Sequence, residues 1–206
     1  MSDEIMIRGI GPLCQVQGLV VQQHKEWGEI IAGWETRNRY AVHSDDGAVL
    51  YHAGEVGTGW LSRNFLKSKR PFTVEIKDTA GALIYRLVRP WRWFFSGATL
   101  YDQSGAVVGS IEQRFKLFSR LYSIYDAEGT ELARLRGPLL RPWTFWLEAG
   151  SESLGSIKKK WSGLLKEAFT DADNFRVEFG AAMDERLRSI LLGVTFFVDF
   201  LHFESK

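Results

Sequence analysis

Three times, at intervals of 24 residues, the chain repeats one turn signal between alternating apolar segments. The three copies are Asp78-Thr-Ala-Gly81, Asp102-Gln-Ser-Gly105 and Asp126-Ala-Glu-Gly129. An Asp opens such a turn by accepting from the backbone amides that follow it, and a Gly supplies the positive φ at which the chain reverses. Ser44-Asp-Asp-Gly47 and Glu152-Ser-Leu-Gly155 read as weaker relatives on either side. Around the turns the apolar period is two. Phe72, Val74 and Ile76 alternate with Thr73, Glu75 and Lys77, and Tyr122 and Ile124 lead into the third turn in the same way. A chain that reverses this often forms an antiparallel meander. The expected result is a sandwich or a closed barrel, and closure leaves no exposed edge. Aromatic content agrees, because 14 Phe, 8 Trp and 6 Tyr suit a pleated surface.

Two units match beyond the turn itself. Ile76-x-Asp78-x-x-Gly81 with Arg86-Leu87-x-x-Pro90 recurs 48 residues later as Ile124-x-Asp126-x-x-Gly129 with Arg134-Leu135-x-x-Pro138. A duplicated hairpin accounts for the match, and so does reuse of turn chemistry.

The period changes at residues 184–203. Leu187, Ile190, Leu191, Val194 and Val198 recur at spacings of three and four behind Asp184 and Glu185, acidic residues that suit a helix N-terminus. The run from Ser189 to Val198 is almost wholly apolar. A membrane span takes about 20 such residues, so spanning would draw Asp199 and His202 into lipid at high cost. A helix apolar on nearly all sides must still be buried. Threading it through a β-barrel satisfies both halves of the sequence, and a membrane anchor is the alternative. Asp199 would then need a partner, expected to be an arginine on a strand, or else it caps the helix end.

Composition narrows the function classes. Lys and Arg total 26 against 25 acids, and a net charge of +1 disfavours a chain devoted to nucleic acid. The single cysteine, Cys14, excludes an internal disulfide and a Cys-based metal site. Met1-Ser2-Asp3-Glu4 lacks the pattern of a signal peptide, so a cytoplasmic location is expected. Gly54-Glu-Val-Gly57-Thr-Gly59 has the wrong spacing for a phosphate loop, and there is no G-x-S-x-G elbow. His24, His43, His52 and His202 are scattered. A conventional enzyme is not expected, and no cofactor is required.

Several stretches carry a resemblance. They are Leu19–Gln23, Lys25–Ile30, Glu35-Thr36-Arg37-Asn38-Arg39-Tyr40, Arg63-Asn64-Phe65, Arg70-Pro71-Phe72, Arg89-Pro90, the long run Lys160–Phe175, and Asp199-Phe200 through Phe203-Glu204. In this order, over roughly residues 10–204, the chain resembles the phospholipid scramblase family. The resemblance implies a tubby-like fold, mainly β, with a twelve-stranded barrel around a central buried hydrophobic C-terminal helix. A short extension, 1–14, would precede a single domain, 15–206. It also implies calcium-stimulated movement of phospholipids between leaflets, together with signalling and nuclear roles.

The chain departs from the animal members of that family in three places. No counterpart of their proline-rich N-terminal tail is expected from residues 1–14. Their cysteine run after the equivalent of Arg89-Pro90 is replaced by Trp91-Arg92-Trp93-Phe94-Phe95-Ser96-Gly97, so acylation at that place is excluded. Trp and Phe beside Arg settle at a bilayer interface, rings among the headgroups and cation toward phosphate. This makes Trp91, Arg92, Trp93, Phe94 and Phe95 candidate membrane contacts. The alternative is a strand with Trp91, Trp93 and Phe95 facing the core. The family's proposed calcium loop would begin at Asp171. Asp171 and Asp173 fit positions 1 and 3, but Phe175, Arg176 and Ala182 stand where a working loop has a ligand, a glycine and a carboxylate. A turn at 171–174 followed by a strand is expected, with at most weak calcium binding.

Candidate phosphate ligands fall in basic clusters: Arg63, Lys67, Lys69 and Arg70; Arg114, Lys116 and Arg120; and Lys158, Lys159 and Lys160. The last of these also matches the family's proposed nuclear-import stretch. Together these features predict a peripheral, membrane-associated protein whose partner is an anionic phospholipid surface. The alternative is a soluble module that binds protein or, less favoured by the charge, nucleic acid, with no scrambling activity.

Overall fold

A computed structural model describes residues 11–24, 34, 36–57, 70–160 and 174–203. Its twelve strands are β1 Gly18–His24, β2 Arg37–His43, β3 Val49–Val56, β4 Phe72–Asp78, β5 Leu83–Arg89, β6 Gly97–Asp102, β7 Val107–Arg114, β8 Ser119–Asp126, β9 Glu131–Pro138, β10 Thr144–Ala149, β11 Glu152–Lys160 and β12 Asn174–Phe179. A short helix, α1 (Gly11–Gln15), precedes them and a long one, α2 (Glu185–His202), follows. Each strand is antiparallel to the next, and β12 returns to β1 from Gly18↔Glu178 to Gln22↔Asn174, closing the barrel.

The repeated turns form as their chemistry predicts. Asp78 Oδ1 accepts from the amides of Ala80 and Ala82 at 2.9 and 2.8 Å, and the Gly81 amide donates to the Asp78 carbonyl at 3.1 Å with Gly81 at φ 86°. Asp102 and Asp126 open their turns in the same way. Ser44–Gly47 is a true relative, with Gly47 at φ 88°. Glu152–Gly155 is not. It lies inside β11, and the chain has already reversed at Gly150, φ 60°. The two units 48 residues apart are the β4–β5 and β8–β9 hairpins.

Because neighbouring strands alternate in direction, connections alternate between the two ends of the barrel. The turns at 44–47, 78–81, 102–105 and 126–129 and the reversal at Gly150 share one pole. The connections after β5, β7 and β9 share the opposite pole.

The helix α2 fills the interior. Thirteen of its 18 residues are buried. Phe196 packs edge-on against Tyr40 of β2, Phe200 lies 4.4 Å from Phe72 at the start of β4, Phe197 meets Tyr122 of β8, and His202 stacks on Phe145 of β10. These partners come from all round the wall, so the helix is threaded through the barrel. No helix among the described residues is long and apolar enough to cross a membrane. Asp184 caps the helix, its Oδ1 accepting from the Leu187 amide at 2.8 Å. Arg188 reaches back to the carbonyls of Leu13 and Val16 at 2.8 and 2.7 Å, and Leu13 is fully buried. Leu13 of α1 is thereby packed with α2 and the core.

Polar groups on α2 have partners on the wall. Asp199 is 2% exposed, and the Tyr40 hydroxyl donates to its Oδ2 at 2.6 Å. One partner of Asp199 is thus a tyrosine of β2. Tyr85 and Ser189 share a hydrogen bond of 2.8 Å nearer the turn pole. At the other end, His202 Nε2 lies 2.7 Å from the Tyr122 hydroxyl.

Two predictions follow from this packing. At Gly109 an added methyl group would overlap Ile190 of α2 and the Tyr125 carbonyl oxygen. Gly109→Ala should therefore lower stability by about 1–3 kcal/mol in urea unfolding, the range for overpacking a core. Burial, and then the Arg120 guanidinium, push the His202 imidazole down to about 4 from 6.5. Between these values the unfolded chain binds the proton and the folded chain does not. Stability from this site is therefore complete above about pH 6.5 and lost as pH falls toward 4, by about 3 kcal/mol in all. His24 and His52, lowered mainly by burial, act in the same direction. Unfolding measured across this window should show a shallower slope for His202→Asn than for the parent chain.

Candidate functional site

The ladder of β5 ends at Arg89 because Pro90 has no amide to donate. Residues 90–96 form an open connection, and β6 begins at Gly97, where a Cβ would sit 2.9 Å from the Ile111 carbonyl oxygen. The strand alternative for Trp91–Phe95 is thereby overturned. Trp91, Trp93, Phe94 and Phe95 are all exposed, Phe94 at 89%. The base of the loop is fixed by Ser96, whose amide donates to Gln113 Oε1 at 3.2 Å and whose carbonyl accepts from the Gln113 amide at 2.7 Å. Trp91 and Trp93 pack edge-to-face at 5.0 Å. Arg92, half exposed, lies 3.7 Å from Glu112, and such a pair contributes little to stability.

Two more connections at this pole expose large apolar side chains that the sequence reading did not single out. Phe115, Leu117 and Phe118 lie between β7 and β8, and Leu139, Leu140 and Trp143 lie between β9 and β10. Their signal was available, since Phe115-Lys-Leu-Phe118 and Leu139-Leu140-Arg-Pro-Trp143 are apolar where a connection is ordinarily polar. Without strand ends in hand, the first reads as one more piece of strand. The third loop is braced at its base, where Arg120 donates to the Pro142 carbonyl at 2.7 Å and lies 4.4 Å over the Phe145 ring.

The predicted phosphate ligands are less unified. Arg63, Lys67, Lys69, Asp171 and Asp173 lie outside the described residues, as does the side chain of Lys160. Arg70 points into the barrel mouth, is buried, and pairs with Glu55, whose Oε2 also accepts from Asn38 at 2.8 Å. Arg89, also inward, is held down at about 10 by burial and by Arg70. Strand alternation splits the lysine run. Lys158 pairs with Glu178 at 2.8 Å on the outer face, while Lys159 turns inward to lie 4.1 Å over the Phe203 ring. Arg114 and Lys116 are exposed beside the second loop, with Arg114 contacting Tyr125.

This geometry can now be set beside known proteins. A model of the Scramblase family matches residues 4–205. The chain belongs to the Scramblase family. It is 30% identical to phospholipid scramblase 1 of Mus musculus over 95% of this chain, and 29% identical to that of Homo sapiens over 96%. It is 30% identical to phospholipid scramblase 2 of Bos taurus over 95% of this chain and 71% of that protein. This Scramblase-family chain spans 64% of the mouse and 66% of the human scramblase 1 length. A crystal structure of an Arabidopsis thaliana protein covers 88% of this chain and 91% of its own, at 12% identity and a TM-score of 0.47.

The first residues of the calcium loop expected at Asp171 lie outside the described residues. A twelve-residue loop starting at Asp171 would run through residues 174–179, which are β12, paired on both sides. Phe175, at its fifth position, is buried in the core, and Arg176, at its sixth, pairs with Asp45. Among the described residues, no group of three or more His, Cys, Asp or Glu could hold a metal.

The two kinds of ion pair should behave differently on mutation. Glu55→Gln removes the carboxylate that the buried Arg70 faces and should cost about 3–5 kcal/mol. Glu178→Gln, at the exposed pair with Lys158, should cost less than about 1 kcal/mol. Urea midpoints of the two variants measure the contrast.

Proposed function

We propose that this chain is a phospholipid scramblase-like protein that acts peripherally at a bilayer surface, with a protein-bound barrel helix and with aromatic rings in place of acylated cysteines at residues 91–97. The observation that carries the reading is the exposed aromatic connection Trp91–Phe95, with Arg92 among its rings and Phe94 almost wholly in solvent. Trp and Phe at such a position gain by entering the headgroup layer, and the cation meets phosphate. The named scramblases among its relatives support lipid as the partner, and the activity would be one of transport, with no covalent bond made or broken. In this reading the chain resides in the cytoplasm and needs no cofactor and no calcium, in keeping with the interrupted loop at 171–182.

Flotation tests the binding. The protein should rise with phosphatidylserine-containing vesicles more than with phosphatidylcholine alone, and salt should weaken it. Replacing Trp93 and Phe94 together by Ser should lower partitioning roughly tenfold or more, since each ring contributes on the order of 1.5–3 kcal/mol when buried. Equal binding to neutral and charged vesicles, or no effect of salt, would remove the reading. Transport is tested by reconstitution with a dithionite-quenched fluorescent lipid, and a rate equal to that of empty vesicles would remove that half of it.

A further inference from the structure

The two poles of the barrel differ in a way the net charge of +1 conceals. Among the described residues, ten of the eleven exposed large apolar side chains lie in the three connections 90–96, 115–118 and 139–143, and the eleventh, Val107, follows a turn at the opposite pole. The tips are Phe94 at 89%, Phe115 and Phe118 at 77% and 78%, and Leu140 at 97% exposure. Neighbouring strands are about 4.8 Å apart, so three loops that follow every second strand stand about 10 Å from one another along one arc of the rim.

The charges follow the same division. Residues 90–96, 113–120 and 138–144 contain Arg92, Arg114, Lys116, Arg120 and Arg141 and no acid. The turns at the other pole contain Asp45, Asp46, Asp78, Asp102, Asp126 and Glu128 and no Lys or Arg. Among the described connections, these three loops are cationic and apolar, and the four Asp-containing turns at the other pole are acidic and polar.

Resting on the proposed function above, we propose that the three loops enter an anionic phospholipid bilayer together, as a three-point foot. This sets the barrel upright, with the Asp-x-x-Gly turns and the N-terminus of α2 farthest from the lipid. The occupant is a bilayer because the three loops join apolar tips to cations and carry no acid of their own, the nearest being Glu112 beside Arg92 at the end of β7, and Trp91, Trp93 and Trp143 stand among them where headgroups would lie. The charge asymmetry steers this pole toward an anionic surface, and the loop bases, braced by Gln113 and Arg120, hold the three tips in place before contact.

The test labels single cysteines with an environment-sensitive fluorophore in the full chain, after Cys14→Ser removes the native, exposed thiol. Labels at Phe94, Leu117 and Leu140 should all be quenched by brominated acyl chains in phosphatidylcholine–phosphatidylserine vesicles, while labels at Ala80 and Ser104 in the turns stay aqueous. Lys116→Gln should lower partitioning about fivefold at low salt, as expected of one cation near an anionic surface, with an unchanged thermal melt. If the protein floats but only the label at 94 is quenched, or a turn label is quenched, the three-point foot is wrong while the proposed function stands. If nothing floats, the proposed function itself fails. If sedimentation in buffer without lipid shows a dimer that Leu117→Ser with Leu140→Ser converts to monomer, the rim serves a second copy of the chain and the proposal is overturned.

Discussion

Everything in this fold depends on one burial problem. A helix of 18 residues with apolar side chains on nearly all sides cannot face water on any flank, and a closed sheet whose inner face is lined by apolar side chains must have that face covered. Each is the solution to the other. The fit is close enough that two positions tolerate no side chain easily, since Gly109 on the wall meets Ile190 and Gly193 on the helix meets Leu100 and Leu87. Buried polar groups on the helix are bonded, Asp199 and Ser189 to Tyr40 and Tyr85 on the wall and Thr195 to the Leu191 carbonyl of the helix itself.

With its greasy helix satisfied internally, the barrel has no helix to offer a membrane among the described residues. Its apolar surface is found elsewhere, on connections that strand alternation gathers at one end. The same alternation decides the fate of each basic residue. It sends Arg70, Arg89 and Lys159 into the barrel mouth over aromatic rings, and leaves Lys158 and Arg114 on the outside. Lys158 and Lys159, contiguous in sequence, therefore face opposite sides of the wall.

Much of this was legible before the structure. The Asp-x-x-Gly spacing identified hairpins because Asp capping and positive-φ glycine are local chemistry, and the three-and-four spacing identified α2 for the same reason. Legibility failed where the decision is not local. Glu152–Gly155 has the residues of a weak turn, but the reversal at Gly150 had already been made. Trp91–Phe95 could be a strand by pattern, and only the positions of Pro90 and Gly97 in the ladder make it a loop. The apolar character of Phe115–Phe118 and Leu139–Trp143 was visible, but not their shared location, which exists only once twelve strands alternate. Asp199 was expected to need a partner; that the partner seen is Tyr40, 159 residues away, follows from the barrel's closure.

The order of elements along the chain has a consequence for biosynthesis. The filling of the barrel comes after all twelve staves, and the seam between β1 and β12 joins residues as distant as Gly18 and Glu178. While a ribosome is still making the strands, their inward faces have nothing to pack against. The seam needs residues up to Glu178 and the core needs α2 as well, so the contacts that complete the domain are long-range ones. Until they form, a row of Phe, Tyr, Val and Leu side chains stands open, the kind of surface that makes an incomplete chain prone to aggregate.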